Sequence, residues 1–142
     1  MLSTACKDAI RAMIYIAKRQ KENNFISIKE IAQDLELSFY FLSKILQKLV
    51  KNGFLESYRG PNGGVKLARS PEEITIYDII LAIDGDKLFR TCILGFEECS
   101  DNAPCAIHNE WAVEREHLYN MFKSTTLETI EEKLLKESNI KI

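Results

Sequence analysis

The stretch SIKEIAQDLELSFYFLSKILQKLVKNG, residues 27–53, sharply limits the folds open to this chain. Ile28, Ile31, Ala32 and Leu35 recur at the spacing of one helix face. Leu42, Ile45, Leu46 and Leu49 do so again, so two amphipathic helices are predicted with only the Glu36-Leu37 connection between them. Ser27 and Glu30 form a capping-box pattern before the first, Ser38 can cap the second, and Gly53 stands where that helix would stop. Two short helices joined by so brief a turn imply a helix-turn-helix. Directly afterwards, FLESYRGPNGGVKLARS places Phe54–Tyr58 and Val65–Leu67 on either side of Gly60-Pro61-Asn62-Gly63-Gly64, which reads as strand, turn and strand. A hairpin in that position is a wing. The glycines do not form a phosphate loop, because no lysine-hydroxyl pair follows them at the required spacing and no helix begins directly after them.

The second helix of the pair carries Ser43, Lys44, Gln47, Lys48 and Lys51 away from its apolar stripe, with Tyr40 near its start. Such a face suits a major groove: lysines reach phosphates, while Ser, Tyr and Gln approach base edges. The formal net charge of −2 argues, by itself, against a nucleic-acid partner. The charge is segregated, however. Residues 38–69 hold six basic side chains against Glu56 alone, a net +5, whereas residues 70–142 hold seven basic and fifteen acidic ones, a net −8. A basic contact surface on an acidic body has this distribution. Arg59 at the wing tip is placed to enter a minor groove, where the negative potential favours a guanidinium. The candidate DNA contacts are therefore Ser38, Tyr40, Ser43, Lys44 and Lys48 on the helix, with Arg59, Gly60 and Pro61 on the wing.

Ahead of this pair, Ile10, Met13, Ile14 and Ala17 follow a Ser3-Thr4 cap, predicting a helix from about residue 4 to about residue 21. Cys6 lies one turn before Ile10 on the same face and reads as a buried packing residue. The remaining cysteines, Cys92, Cys99 and Cys105, fall together in TCILGFEECSDNAPCAIHNEW. The N-terminus lacks the basic start and unbroken apolar run of a signal peptide, and no stretch reaches the roughly 18 apolar residues of a membrane span. A soluble cytoplasmic chain of 142 residues, one domain with an arm, is expected. In that reducing compartment a cysteine cluster points to metal binding or redox chemistry rather than disulfides. Six residues separate the first two cysteines and five the next two, wider than the zinc-knuckle spacing and suited to a loop around a larger object. Soft thiolates favour an iron-sulfur cluster or zinc. Three thiolates leave a fourth position for a weaker ligand, which opens the site to exchange, oxidation or small-molecule attack.

LSTACKDAIRAMIYIA, the helix pair ending ILQKLVKNGFLES, the wing RGPNGG, and the three cysteines followed by His108 together resemble the IscR/NsrR family of winged-helix transcription regulators. The resemblance spans nearly the whole chain. It implies a mainly α fold with a small β-hairpin wing, and a homodimer that reads a partly palindromic double-stranded DNA operator. It also implies an iron-sulfur cluster near the dimer interface that governs DNA binding. His108, separated from Cys105 by two residues, becomes the leading fourth ligand. In some relatives the extra ligand is instead a carboxylate from the first helix of the partner subunit, for which Asp8 is the candidate, but the alignment puts Lys7 at that position and Asp8 one residue later. The Cys92–Cys99 interval is also one residue longer than in familiar members. A 2Fe–2S cluster is favoured over 4Fe–4S, and zinc is the alternative.

The expected organisation is a winged helix-turn-helix domain over residues 1–83, a hinge and cysteine loop over 84–106, and a dimerisation helix with a helical tail over 107–142. Ile107, Trp111, Leu118 and Phe122 make one apolar stripe, and Leu127, Ile130 and Leu134 another; either could complete a monomer core, but a long helix beyond a closed domain serves association. His117 reads as solvent-facing. Two other functions are weighed: a zinc-stabilised or cluster-free module that binds a protein partner, and a thiol enzyme using Cys105 and His108. No orienting third group is apparent for the second, and the chain is not expected to be an enzyme.

Overall fold

The structure, a computed structural model, describes residues 1–20 and 24–142. Helix α1, Thr4–Arg19, begins where the Ser3 hydroxyl accepts from the Cys6 amide at 3.0 Å. It stops at Arg19; residue 21, where the predicted helix was to end, lies outside the described residues. Cys6, Ala9, Ala12, Met13 and Ile16 form its fully buried face. Burial and then the nearby Asp84 carboxylate push the Cys6 thiol up to about 12. Cys6 is thus a protonated packing group, as its place on the stripe predicts.

Helices α2, Ile28–Asp34, and α3, Phe39–Lys51, form the predicted pair. The turn between them puts Glu36 in the left-handed region at φ 55°, and the Leu37 amide donates back to the Ala32 carbonyl at 2.8 Å. The expected capping box at α2 is absent. Ser27 makes no side-chain cap, and the Glu30 carboxylate instead bonds the Arg19 guanidinium and accepts from the Tyr15 hydroxyl at 3.4 Å. A charge-assisted bond to arginine wins over a bond to one amide. Ser38 does cap α3, and Gly53 closes it at φ 80°.

Strands β1, Leu55–Tyr58, and β2, Gly64–Leu67, pair antiparallel from Leu55 opposite Leu67 to Tyr58 opposite Gly64. A further bridge joins Val65 to Ile26 through two backbone bonds of 2.8 and 2.9 Å. Gly64 makes that approach possible, since a Cβ there would stand 1.9 Å from the Ile26 carbonyl oxygen.

Helix α4, Ile76–Asp84, starts on a complete Thr75–Asp78 capping box and is followed by the short α5, Lys87–Arg90. The cysteine loop then leads to α6, His108–Ser124, and α7, Leu127–Lys136. Helix α7 turns back onto α1: Leu127 is fully buried in the same core as Met13 and Ile79, and Ile130 and Leu134 pack against it. Backbone bonds from Ile76 to Thr125 and from Leu127 to Ile74 fasten the return. The tail stripe thereby completes the protomer's own core. Leu127→Ala should lower unfolding stability by about 2–5 kcal/mol in a denaturant titration, as for other fully buried leucines.

Candidate nucleic-acid interface and cysteine site

Burying Leu42, Ile45, Leu46 and Leu49 turns the opposite face of α3 outward, leaving Ser38, Tyr40, Lys44 and Lys48 exposed and Ser43 half-buried. The Ser43 hydroxyl donates to the Phe39 carbonyl at 2.7 Å, so only its oxygen lone pairs remain for an outside donor. Arg59, Gly60 and Pro61 are exposed on the wing. Between helix and wing runs a groove of about 460 Å³ that brings Ser43 together with Arg59, alongside Gln47, Lys51, Tyr58 and Lys29. Lys29 escaped the sequence reading; its only signal is a place on α2 next to, rather than on, the apolar stripe. Ser38, Tyr40, Lys44, Lys48, Gly60 and Pro61 do not line this groove. Lys66 and Glu56 pair across the strands at 3.5 Å, with Lys66 also 4.9 Å above the Phe25 ring, which turns that lysine to the hairpin's own use.

The three loop cysteines and His108 form two adjacent pairs. Cys92 is buried, its thiol and that of Cys105 each shift the other's ionisation, and the Cys99 sulfur lies 3.2 Å from His108 Nδ1. Cys99 is also close enough for its charge to act on Cys105. Among the described residues, no three His, Cys, Asp or Glu side chains form a group able to hold a single metal ion. Burial pushes the Cys92 thiol up, but amides of Leu94, Phe96 and Gly95, together with the Cys105 thiol, outweigh it and hold Cys92 below the usual thiol range. The Leu94 amide donates to its sulfur at 3.4 Å. For Cys105 the Ile107 amide favours the thiolate, yet the bond to Cys92, burial and the charges of Cys92 and Cys99 together raise it.

His108 is nearly fully buried, and its Nε2 lies 2.8 Å from an Asp101 carboxylate oxygen. The thiol–imidazole contact is therefore with Cys99, not with Cys105 as the sequence pairing had it, and an orienting carboxylate is present. Asp8, the alternative ligand, is buried and lies 3.6 Å from Arg11 on its own helix, whereas Lys7 is exposed. His117 is exposed, 3.6 Å from Glu114.

A family model described as Rrf2, iron-dependent transcriptional regulator, matches residues 2–133. The chain belongs to the Rrf2 family. A putative helix-turn-helix transcriptional regulator of Aquifex aeolicus is 33% identical over 140 residues, covering 95% of this chain and 96% of that one. Among solved structures, CymR, the global cysteine regulator of B. subtilis, superposes with a TM-score of 0.78 at 29% identity over 94% of this chain and 97% of its own. IscR of T. potens gives 0.75 at 25% identity over 100% of this chain and 93% of its own. This Rrf2 protein is thus a winged-helix, DNA-binding transcription regulator, and the mainly α fold with a hairpin wing read from the sequence holds. No helix among the described residues is long and apolar enough to cross a membrane.

In this Rrf2 chain the start of the cysteine loop is tied to α6, and α6 in turn to α4. The Trp111 indole N–H donates to the Thr91 carbonyl at 3.1 Å, fixing α6 beside the start of the loop. Tyr77 of α4 and Phe89 of α5 each meet Tyr119 of α6 edge to face and meet each other at a 54° tilt, with centroids 5.0–5.8 Å apart, and Phe122 joins through Phe89. Phe89 and Tyr119 also wall a cavity of about 360 Å³ beside Cys99 and His108. The stripe of Trp111, Leu118 and Phe122 is half-buried within the protomer; Ile107, Val113 and Met121 are the exposed apolar residues of this region.

Lys44→Ala and Lys48→Ala should weaken binding to all duplexes similarly, each lowering the salt-dependence slope by roughly one unit in a filter or fluorescence titration. Arg59→Ala should cost more on duplexes with a narrow A·T-rich minor groove than on G·C-rich ones. Equal losses on both would leave Arg59 a phosphate contact only.

Proposed function

We propose that this regulator is a homodimer whose operator binding is controlled by an iron-sulfur cluster held by Cys92, Cys99, Cys105 and His108. The observation that carries the reading is the 3.2 Å contact of Cys99 Sγ with His108 Nδ1 in the same loop as Cys92 and Cys105, whose ionisations act on each other. A single zinc needs its four ligands around one point, whereas a 2Fe–2S unit presents two irons, each asking for two protein ligands. Amide donors around Cys92 favour its thiolate form, the form that ligates. One imidazole among three thiolates makes one iron less strongly held. A bound cluster would supply a group that reacts with oxidants and nitric oxide and changes charge on reduction.

The exposed apolar residues support association. Ile93, Leu94 and Phe96 of the cysteine loop and Ile107, Val113 and Met121 at α6 all lie open on the protomer. A partner laid over them would bring the cluster loop next to the interface, and a two-fold dimer would match a partly palindromic operator. Residues 1–83 then act as the reader, 84–106 as the sensing loop and α6 as the association helix. The Tyr77–Phe89–Tyr119 stack is the packed connection through which the loop can bias the reader.

Protein purified without air should be brown and contain iron and sulfide. Cys92→Ser, Cys99→Ser and Cys105→Ser should each bleach it, and Cys6→Ser should not. Stoichiometric zinc without iron or sulfide in such protein would refute the assignment. Holo and apo forms should differ about 5- to 150-fold in affinity for a specific operator, equivalent to about 1–3 kcal/mol of coupling, and much less for a scrambled duplex. Equal operator affinities would leave the cluster a structural element.

A further inference from the structure

We infer that Asp101 is a positioning residue for the cysteine site: its carboxylate fixes the His108 ring so that Nδ1 is the ligating atom and stays paired with Cys99. This deepens the reading of His108 as fourth ligand and rests on it.

His108 and Asp8 are the buried polar or charged side chains among the described residues, and both ring nitrogens of His108 are engaged. Nε2 is 2.8 Å from Asp101 Oδ1, and Nδ1 is 3.2 Å from Cys99 Sγ. The Asp101 carboxylate oxygen offers Nε2 an acceptor at 2.8 Å, and this bond favours the tautomer with its proton on Nε2. In a neutral imidazole the other nitrogen then holds a lone pair, and that lone pair faces Cys99. A metal taking the Cys99 sulfur therefore meets it. Two tetrahedral ligands with bonds of about 2.3 and 2.0 Å stand about 3.5 Å apart, close to the separation of this pair. The opposite tautomer, with its proton on Nδ1, could not ligate there. Nor could a ring turned over.

The backbone holds both partners of the ring in place. The His108 amide donates to the Cys105 carbonyl at 3.1 Å, and the Cys99 amide to the Arg90 carbonyl at 3.2 Å. Asp101 sits in a turn closed by a 3.3 Å bond from the Ala103 amide to the Ser100 carbonyl and a 3.2 Å bond from the Asn102 amide to the Ser100 hydroxyl. The Asp101 side chain is 99% exposed. It contributes no packing, so replacing it removes the hydrogen bond and leaves the core alone. Ligating histidines elsewhere depend on such outer partners for ring orientation and basicity.

The test uses anaerobically reconstituted full-length protein as wild type, Asp101→Asn, Asp101→Glu and His108→Ala. The nitrogen hyperfine coupling of the reduced cluster is read by pulsed electron paramagnetic resonance, and cluster lifetime is read by bleaching in excess chelator. Asparagine keeps the size of Asp101 but offers an amide N–H to Nε2, which favours the proton on Nδ1. Asp101→Asn should therefore lose the coordinated-nitrogen coupling, as His108→Ala does, and bleach about 10- to 100-fold faster than wild type. Asp101→Glu, still an acceptor, should keep the coupling and most of the lifetime. Full coupling and lifetime in Asp101→Asn, with both lost in His108→Ala, would overturn the positioning role alone. Unchanged coupling in His108→Ala would remove His108 from the cluster and the role of Asp101 with it.

Discussion

The fold hangs on one face of α1. Cys6, Ala9, Ala12, Met13 and Ile16 are fully buried there, and α2, α3, α4, α7 and β2 all pack against this helix. Small side chains at three of those five positions let neighbouring backbones approach closely, while Met13 and Ile16 fill the space between them. Because one helix serves as the common wall, a disturbance at its N-terminus is felt at both ends of the molecule. Ser3, its cap, also bonds the Asp84 carboxylate at the end of α4 through its amide at 2.8 Å and through its hydroxyl. The reading helix and the route to the cysteine loop are thereby supported from the same place.

Much of this was legible in the sequence, and the misses have physical causes. Periodicity found α1, α2 and α3, because each buries one clean stripe, and the Gly60–Gly64 turn announced the hairpin. The α2 capping box failed because local pattern cannot foresee a remote competitor: Arg19, on another helix, takes Glu30. The stripe of Trp111, Leu118 and Phe122 read correctly as apolar, but periodicity does not say which partner covers it, and Phe89 meets Phe122 within the protomer. At the cysteine site, the sequence offered four candidate donors yet could not pair them. Cys105 is nearer to His108 in sequence, but the turn at Ser100–Ala103 brings Cys99 to the ring. Asp101 was invisible for a similar reason: nothing in its position distinguishes it from Glu97 or Glu98 until the loop is folded.

The cysteine loop places sulfurs close together in a partly buried setting, where thiolates repel one another. The opposite shifts of Cys92 and Cys105 express this conflict: amides favour negative charge on one sulfur, and that charge then opposes it on the next. A cationic centre between the pairs would relieve the repulsion, while a protein lacking one must keep a proton in the cluster of sulfurs. The loop is therefore sensitive to what it holds, and its anchors at Thr91 and Arg90 lie directly beside the aromatic stack reaching α4.

The bridge between Ile26 and Val65, made possible by the missing Cβ at Gly64, joins the wing to the residue just ahead of α2. The wing base and the helix pair are thereby fastened to each other by backbone hydrogen bonds. In the proposed homodimer, the relative pose of two such units would remain adjustable. Regulation would then act on the distance and twist between half-sites, so operators differing by a single base pair in spacer length would respond very differently to the same chemical event.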